Sequence, residues 1–452
     1  MRGVRRQGLS GMLGARVTPS LVPAGVSRSP HRAAVTSRNP SAQRFLSVMT
    51  RSEAAATPTT TSDPTAPIAF TTAEVLSAHL GGKLLTTPRI ALRDRRDLSI
   101  AYSPGVAQVC QMIAQDPELA DTYTTRASTV AVISDGTAVL GLGDIGPRAA
   151  MPVMEGKSLL FHHFAGLNSI PICLQTTDVE EIVTICAALA PTFGGINLED
   201  IAAPRCFEIE QALQDRVDIP VFHDDQHGTA IVTLAALINS AKVLGAQLTG
   251  WRVVISGAGA AGVAIASILR AAGVYDVIIT DSRGVIGPDR PNLPEYKQDL
   301  LAVTNPSDVC GKLADALDGA DVFIGVSGAR VSAEEVELMA PDRVVLALAN
   351  PNPEVKPEVG QRIATIYGTG RSDLPNQVNN VLAFPGVFRG AFDARATRVT
   401  ERMKMAAAQA IADVVAEPTA EHIVPGVFNE DVCPRVSEAV AVAAHADGVV
   451  RP

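Results

Sequence analysis

Apolar residues recur at two spacings along this chain, and the alternation between them lays out its elements. From Thr71, TTAEVLSAHLGGK places apolar side chains at helical intervals and halts at Gly81-Gly82, which predicts a capped helix. LSIAYSPGVAQVCQMIAQ reads as a strand, a break at Ser103-Pro104-Gly105 and a helix, with Tyr102 at the break facing a cleft. STVAVISDGTAVLGLGDIG carries β-branched, strand-like runs, and the following PVMEGKSLLFHHFAG opens a helix at Pro152. Lys157 sits in the apolar part of that helix. A buried ammonium is costly, so it either snorkels or has its pKa lowered for chemistry. His162 and His163 lack an i, i+4 partner and read as a partly exposed face rather than as metal ligands. PICLQTTDVEEIVTICAALAPTFGGINLEDI then gives strand, helix, strand; IPVF is a short buried strand, and AIVTLAALINSAKVLG returns to the helical period.

Two acidic pairs fall at the ends of strands in this layout. Asp224 and Asp225 lie where IPVF gives way to a helix, and Glu199 and Asp200 follow a strand marked by Gly194-Gly195. Neighbouring residues on a regular strand point to opposite faces, so Glu199 and Asp200 can share an ion only if the strand has already ended. Glu199, Asp200 and Asp225 together could supply three oxygen ligands to Mg²⁺ or Mn²⁺, leaving positions for substrate oxygens. Taken alone, each pair is equally well read as a helix cap with solvated charges.

The pattern changes near Leu248. TGWRVVISGAGAAGVAIASILRAAGVYDVIITDSRG is strand, Gly257-x-Gly259-x-x-Gly262, helix, strand and then Asp281. The glycines allow a tight turn, close approach of a pyrophosphate and helix packing on the sheet, while the acid after the second strand suits ribose hydroxyls. Arg283, two residues on, could pair with a 2′-phosphate and tilts the choice toward NADP, with NAD left open. ADVFIGVSG, RVVLALANP and ATIYGTG supply further strands ending in Gly or Asn-Pro, as at the carboxyl edge of a parallel sheet. The fold class is therefore α/β: an N-terminal α/β domain for substrate and metal, then a Rossmann-type doubly wound parallel sheet for NAD(P).

Composition adds three constraints. The 452 residues suit more than one domain, and a net charge of −9 argues against nucleic acid as a partner. Residues 1–52 hold nine arginines and no acid, the composition of an organellar transit peptide, mitochondrial before plastid, with 53–69 as a flexible linker. No stretch reads as a membrane span, and six scattered cysteines without CxxC spacing suit neither a disulfide framework nor a zinc site.

AYSPGVA, PVMEGKSLLF, GGINLEDIAAPRCFEIE, IPVFHDDQHGTA, GAGAAG, DSRGVI, ANPNPE and GRSDLPNQVNNVLAFPGVFRGAFD, in this order, resemble the malic enzymes, above all the shorter, bacterial-type branch. The resemblance covers about Thr71 to Val450. It implies oxidative decarboxylation of L-malate to pyruvate and CO₂ with NAD or NADP and Mg²⁺ or Mn²⁺, by a homo-oligomer, dimer or tetramer. It also implies roles: Tyr102 as general acid, Lys157 as general base, and Glu199, Asp200 and Asp225 as metal ligands. Asp224 would orient Lys157, and Asn350, Asn379 and Asn380 would hold the substrate carboxylate and the nicotinamide side. The implied domains are 70–247 for substrate and metal, 248–395 for the dinucleotide and 396–452 as a C-terminal helical segment. Departures are few. An arginine that animal-type members carry near the GLGD run is absent, Asn352 stands where Thr is common, and Asn168 where Asp is usual. A decarboxylase yielding lactate without net redox change would share every motif. A non-catalytic nucleotide-sensing relative would be expected to have lost one of the five acid, base or ligand residues, and all are present.

Overall fold

Two sheets, one parallel and one parallel but for a short edge strand, carry the molecule, and the Asp224–Leu244 helix leads from one to the other. A computed structural model describes residues 70–139 and 141–451, so the transit-peptide and linker expectations for 1–69 fall outside the described residues. The first sheet contains β1 (Thr129–Ser134), β2 (Asn168–Cys173), β3 (Gly195–Leu198) and β4 (Val221–His223), in the order β2-β1-β3-β4, all parallel. Helices cover both faces, so β1 is buried along its whole length, which explains its unbroken TVAVIS run.

The second sheet contains β5 (Arg252–Ser256), β6 (Asp276–Asp281), the short antiparallel β7 (Gly284–Val285), β8 (Val322–Gly325), β9 (Val344–Ala347) and β10 (Ile366–Thr369). Its order is β10-β9-β8-β5-β6-β7. The chain runs outward from β5 to β6, then crosses back to β8 on the other side of β5. The glycine-rich turn after β5 therefore opens at the switch point where doubly wound sheets bind ligands.

The Asp224–Leu244 helix packs against the Ala260–Ala271 helix of the second sheet and the Glu401–Val414 helix. Val130 and Phe222 from the first sheet and Phe161 from the Pro147–Ala165 helix join Val253, Ile255 and Ile324 from the second sheet in one apolar core around it. That helix is long and apolar enough to cross a membrane, but most of it is buried inside the protein, so its apolar surface is already used by the core. Asn239 fastens its middle by donating to Ala412 O and Ile423 O, each at 2.9 Å.

Two element expectations are corrected. LSIA is not a strand: Arg95–Ala101 is helical, capped by the Asp94 side chain, which accepts from Asp97 N. The helix bearing Lys157 starts at Pro147 rather than Pro152 and runs to Ala165, so Pro152 lies inside it. The helix at Thr72–His79 is as expected, with a Thr71–Glu74 capping box. All six cysteines are free.

The N-terminal helices, Thr72–His79, Arg95–Ala101, Val106–Gln115 and Leu119–Tyr123, contain no buried residue. The segment is tied to the body at two places. Lys83 donates through its backbone N–H to Glu155 Oε2 at 3.0 Å and through Nζ to Pro152 O at 2.6 Å. Farther on, Arg395 pairs with Glu118, and Arg451 Nη1 lies 3.4 Å from Asp121 Oδ2. Between these anchors, among the described residues, the hydrogen bonds of residues 84–117 reach no farther than Ala120 and none joins the body.

Candidate active site

The site assembles at the carboxyl ends of β3 and β4. β3 stops at Leu198, so Glu199 and Asp200 are released from strand alternation, and Asp200 takes a left-handed φ of 54°. β4 stops at His223, and the next residue opens the long helix, placing Asp224 and Asp225 in its first turn. One oxygen from each of Glu199, Asp200 and Asp225 lies within 4.8 Å of the others. The Asp200 N–H donates to Asp225 Oδ2 at 2.7 Å, and Asn197 Nδ2 donates to Glu199 Oε2 at 2.8 Å.

Lys157 enters from the Pro147–Ala165 helix and is 7% exposed. Its Nζ donates to Asp224 Oδ2 at 2.5 Å, lies 2.9 Å from Glu199 Oε1, and stands 4.2 Å above the centre of the Phe384 ring. Burial pulls the Lys157 pKa down, but Asp224 and Glu199 outweigh it and the net shift is upward. In the protein alone the two carboxylates hold the amine as a cation; the lowered pKa, one of the two alternatives read from sequence, belongs to the site with a dication beside it. Glu199 is pushed the other way from an ordinary carboxylate, well above its usual range, by burial and by Asp225, Asp224 and Asp200, against the pull of Lys157.

Glu199 and Asp224 thus hold the ammonium, and Asp200 and the half-buried Asp225 lie beside Glu199, so four carboxylates share one cluster with a single cation. The set is all oxygen, and its excess negative charge is what a hard divalent cation would neutralise, so the residues fit Mg²⁺ or Mn²⁺. Asp224 stands apart from the triad. It accepts from Lys157 and from Asn380 Nδ2, while its Oδ1 is buried without a partner among the described residues.

Glu210, in the Arg205–Arg216 helix, had no role in the sequence reading, yet it positions the whole HDDQH segment. It accepts from His223 N at 2.9 Å, from Gln226 Nε2 at 3.0 Å, and from His227 Nε2 at 2.9 Å. Lys404 Nζ approaches His227 Nδ1 at 3.2 Å, so Nδ1 is the accepting nitrogen and Nε2 carries the proton toward Glu210. The FEIE run was one of the resembling motifs, and that was the only trace of this role in the sequence. Asn197 and Phe384 were likewise missed as neighbours of Glu199 and Lys157.

The dinucleotide end fits its group as well. A Cβ on Gly262 would stand 1.8 Å from Gly257 O, so the helix can sit this close to the turn only with glycine there. Gly259 faces open space at the N-terminus of Ala260–Ala271, where a pyrophosphate would meet free backbone N–H groups. Gly257 itself has φ 127°, in the region that favours glycine.

Asp281 ends β6 as expected, but it is already engaged. Its Oδ1 accepts from Arg283 N at 2.8 Å and Arg290 Nη1 at 3.1 Å, and its Oδ2 from Arg290 Nη2 at 3.0 Å and Lys297 Nζ at 2.6 Å. Burial opposes ionisation, but these partners hold Asp281 well below the usual carboxylate range. Arg283 contributes its backbone here, and the residue is exposed.

The asparagines divide. Asn380 reaches Asp224, whereas the Asn379 side chain accepts from Val381 N and caps a short turn, and Asn350 is exposed beside Gly141 and Gly370. Tyr102 is not brought in. It caps the Arg95–Ala101 helix, is 69% exposed, and makes no hydrogen bond or ring contact with the carboxylate cluster among the described residues.

Residues 82–214 match the model of the malic enzyme N-terminal domain, and 226–446 that of the malic enzyme NAD-binding domain. The chain is 54% identical over 376 residues to an NAD-dependent malic enzyme of Geobacillus stearothermophilus, covering 82% of this chain and 79% of the relative. It is 52% identical over 375 residues to a bifunctional malic/malolactic enzyme of Bacillus subtilis, covering 82% and 92%. Among solved structures, a malic enzyme from Pyrococcus horikoshii superposes with a TM-score of 0.81 at 44% identity, covering 84% of this chain and 92% of that one. These curated relatives, and others at 44–47% identity, are bacterial enzymes, from cells without mitochondria or plastids. That overturns the organellar destination read from the arginine-rich N-terminus. With matching models over both its halves and relatives at this level of identity, the chain belongs to the malic enzyme family.

Proposed function

We propose that the protein oxidatively decarboxylates L-malate to pyruvate and CO₂ while reducing NAD or NADP. Glu199, Asp200 and Asp225 would hold the divalent cation, and Gly257, Gly259 and Gly262 the dinucleotide phosphates. When bound, the cation supplies charge that polarises the C2 oxygen and offsets the carboxylates holding the Lys157 pKa up, and the dinucleotide takes the hydride.

The chain's own residues handle the protons. Lys157 Nζ takes the proton of the C2 hydroxyl, and Asp224, at 2.5 Å, keeps the amine aimed at it. Phe384 closes the apolar side of the amine and keeps water from competing for it. After CO₂ leaves, C3 needs a proton, and a tyrosine hydroxyl, that of Tyr102, is the acid assigned to it. The observation that carries this reading is the contact of one buried amine with both Asp224 and Glu199, a member of the carboxylate triad.

A second reading, conversion of malate to lactate without net redox change, is favoured by the malolactic activity in the name of the Bacillus subtilis relative. One assay decides between them. With L-malate, Mn²⁺ and NAD or NADP, the first reading expects reduced dinucleotide and pyruvate in equal amounts, and the second expects lactate with no reduced dinucleotide. EDTA should abolish turnover and Mn²⁺ restore it, while Asp225→Ala should stay inactive at metal levels that saturate the wild type. Full turnover in a chelated, metal-free sample would overturn the metal assignment.

A further inference from the structure

Glu354 is a buried carboxylate with no part in the proton and cation chemistry above. It is 1% exposed, and no cation pairs with it among the described residues. A buried charge without a counter-ion persists only where hydrogen-bond donors surround it. Here the donors are backbone N–H groups. Oε1 accepts from Ser327 N and Gly328 N, both at 2.9 Å, and Oε2 accepts from Ala349 N at 3.2 Å. The first two lie on the loop after β8, the third on the loop after β9. A carboxylate offers two accepting oxygens and so can serve both loops at once, whereas an amide has one oxygen to give.

Room for this side chain is built into the sheet. A Cβ on Gly325, the last residue of β8, would stand 2.5 Å from Glu354 Cδ. The two clasped loops also reach in opposite directions. The first lies against the dinucleotide turn: a Cβ on Gly257 would stand 2.9 Å from Val326 O, and Ser327 Oγ is 3.1 Å from Ser256 Oγ at the end of β5. The second carries Asn350 toward the substrate domain, where a Cβ on Gly141, ahead of the Lys157 helix, would stand 2.8 Å from Asn350 O.

Sheet order gives these loops a place in the reaction. β6, which ends in Asp281, lies on one side of β5, and β8 and β9 lie on the other. A dinucleotide with its phosphates on the turn after β5 and one ribose toward Asp281 sends its nicotinamide half across the β8 and β9 edge. We propose that Glu354 is a positioning residue for hydride transfer. By clasping the two loops into one ledge, it fixes where the nicotinamide ring lies relative to C2 of malate, and it acts through the backbone of Ser327, Gly328 and Ala349 rather than by touching either reactant. The proposal rests on the reading of the protein as a malate-oxidising enzyme.

Glu354→Gln tests it at constant volume. Its amide oxygen can keep Ser327 and Gly328, but its NH₂ then meets the Ala349 N–H, donor against donor, and the loop after β9 is released. Hydride transfer can be read apart from carbon–carbon cleavage, because oxidation of malate at C2 gives oxaloacetate, whose loss of CO₂ moves no hydride. With L-malate and Mn²⁺, dinucleotide reduction by the variant should fall about 10²-fold, the cost of displacing a reacting group by about 1 Å. Deuterium at C2 of malate should slow the variant at least as much as the wild type. Mn²⁺-dependent release of pyruvate from added oxaloacetate should stay near the wild-type rate. Gly325→Ala, which crowds the same carboxylate but leaves its charge, should show the same split. Equal losses in both reactions, no loss in either, or a variant rate indifferent to the deuterium would overturn the assignment. So would the failure of both variants to fold in a thermal melt, which would make the carboxylate a structural support. Wild-type protein that formed neither pyruvate nor lactate from malate would sink the functional reading instead, a result distinct from a slow variant beside an active wild type.

Discussion

A Cβ placed on Gly228 would lie 1.9 Å from Asp224 Oδ1, one helical turn back. Asp224 cannot yield freely, because its other oxygen is held by Lys157 and Asn380. Gly228→Ala should therefore fold, since alanine is the better helix former, yet displace the carboxylate that aims Lys157. A shift of about 1 Å at such a group can cost about 10²-fold in rate. Steady-state kinetics beside a thermal melt would check this, and wild-type kcat in the variant would show that Asp224 is free to move.

Glu210 gives the protein a pH-dependent element outside the cation site. Burial alone would raise its pKa, but His227 and His223 outweigh burial and the net shift is downward from 4.5. A carboxylate with a lowered folded-state pKa contributes stability that is complete above its unfolded pKa and is lost as pH falls through the folded one. Glu210→Gln keeps the size but loses charge-assisted bonds worth about 1.5–3 kcal/mol. Denaturant titrations should show the variant less stable at neutral pH, with the gap to wild type shrinking as pH drops through the carboxylate range. A gap independent of pH would mean that Glu210 acts by packing alone.

Coenzyme choice should depend on the two cations that hold Asp281. With Arg290 and Lys297 paired to it, the acid presents a neutralised surface to the ribose rather than a free anion. That arrangement tolerates a 2′-phosphate, and removing a cation would leave a carboxylate that repels one. Lys297→Ala should raise the KM for NADP about tenfold or more, the effect of one charge-assisted bond, and leave that for NAD nearly unchanged. Equal changes for both dinucleotides would show the lysine to be structural.

How much of this could be read in advance depends on whether the information was local. The handover from β4 to a helix at Asp224, the end of β3 before Glu199, and the strand, glycine turn, helix, strand, acid run to Asp281 all lie within short windows, where period and glycine placement are decisive. Glu210 looks like any solvated glutamate on a helix, and only the approach of β4 and the HDDQH segment makes it an anchor. Phe384 lies more than two hundred residues beyond Lys157, and no local pattern announces a ring beneath an amine. LSIA misled because four residues are too few to separate strand from helix, and the capping by Asp94 settled it. Tyr102 was singled out by its motif, and a motif carries no statement of how far its side chain stands from the carboxylates once the chain has folded, where it is 69% exposed.

The helix from Asp224 to Leu244 also limits how the cleft can open. One end carries the carboxylates, its flank packs on the Ala260–Ala271 helix that faces the dinucleotide, and its middle is bolted to Ala412 and Ile423. Swinging the two sheets apart would tear this shared interior and expose Phe161, Phe222 and Phe388 to water. Substrate entry must then be gated by parts lying outside the interior. Amide protons along Ile231–Ser240 should exchange only on global unfolding, while those of residues 84–117 exchange early in a solitary chain.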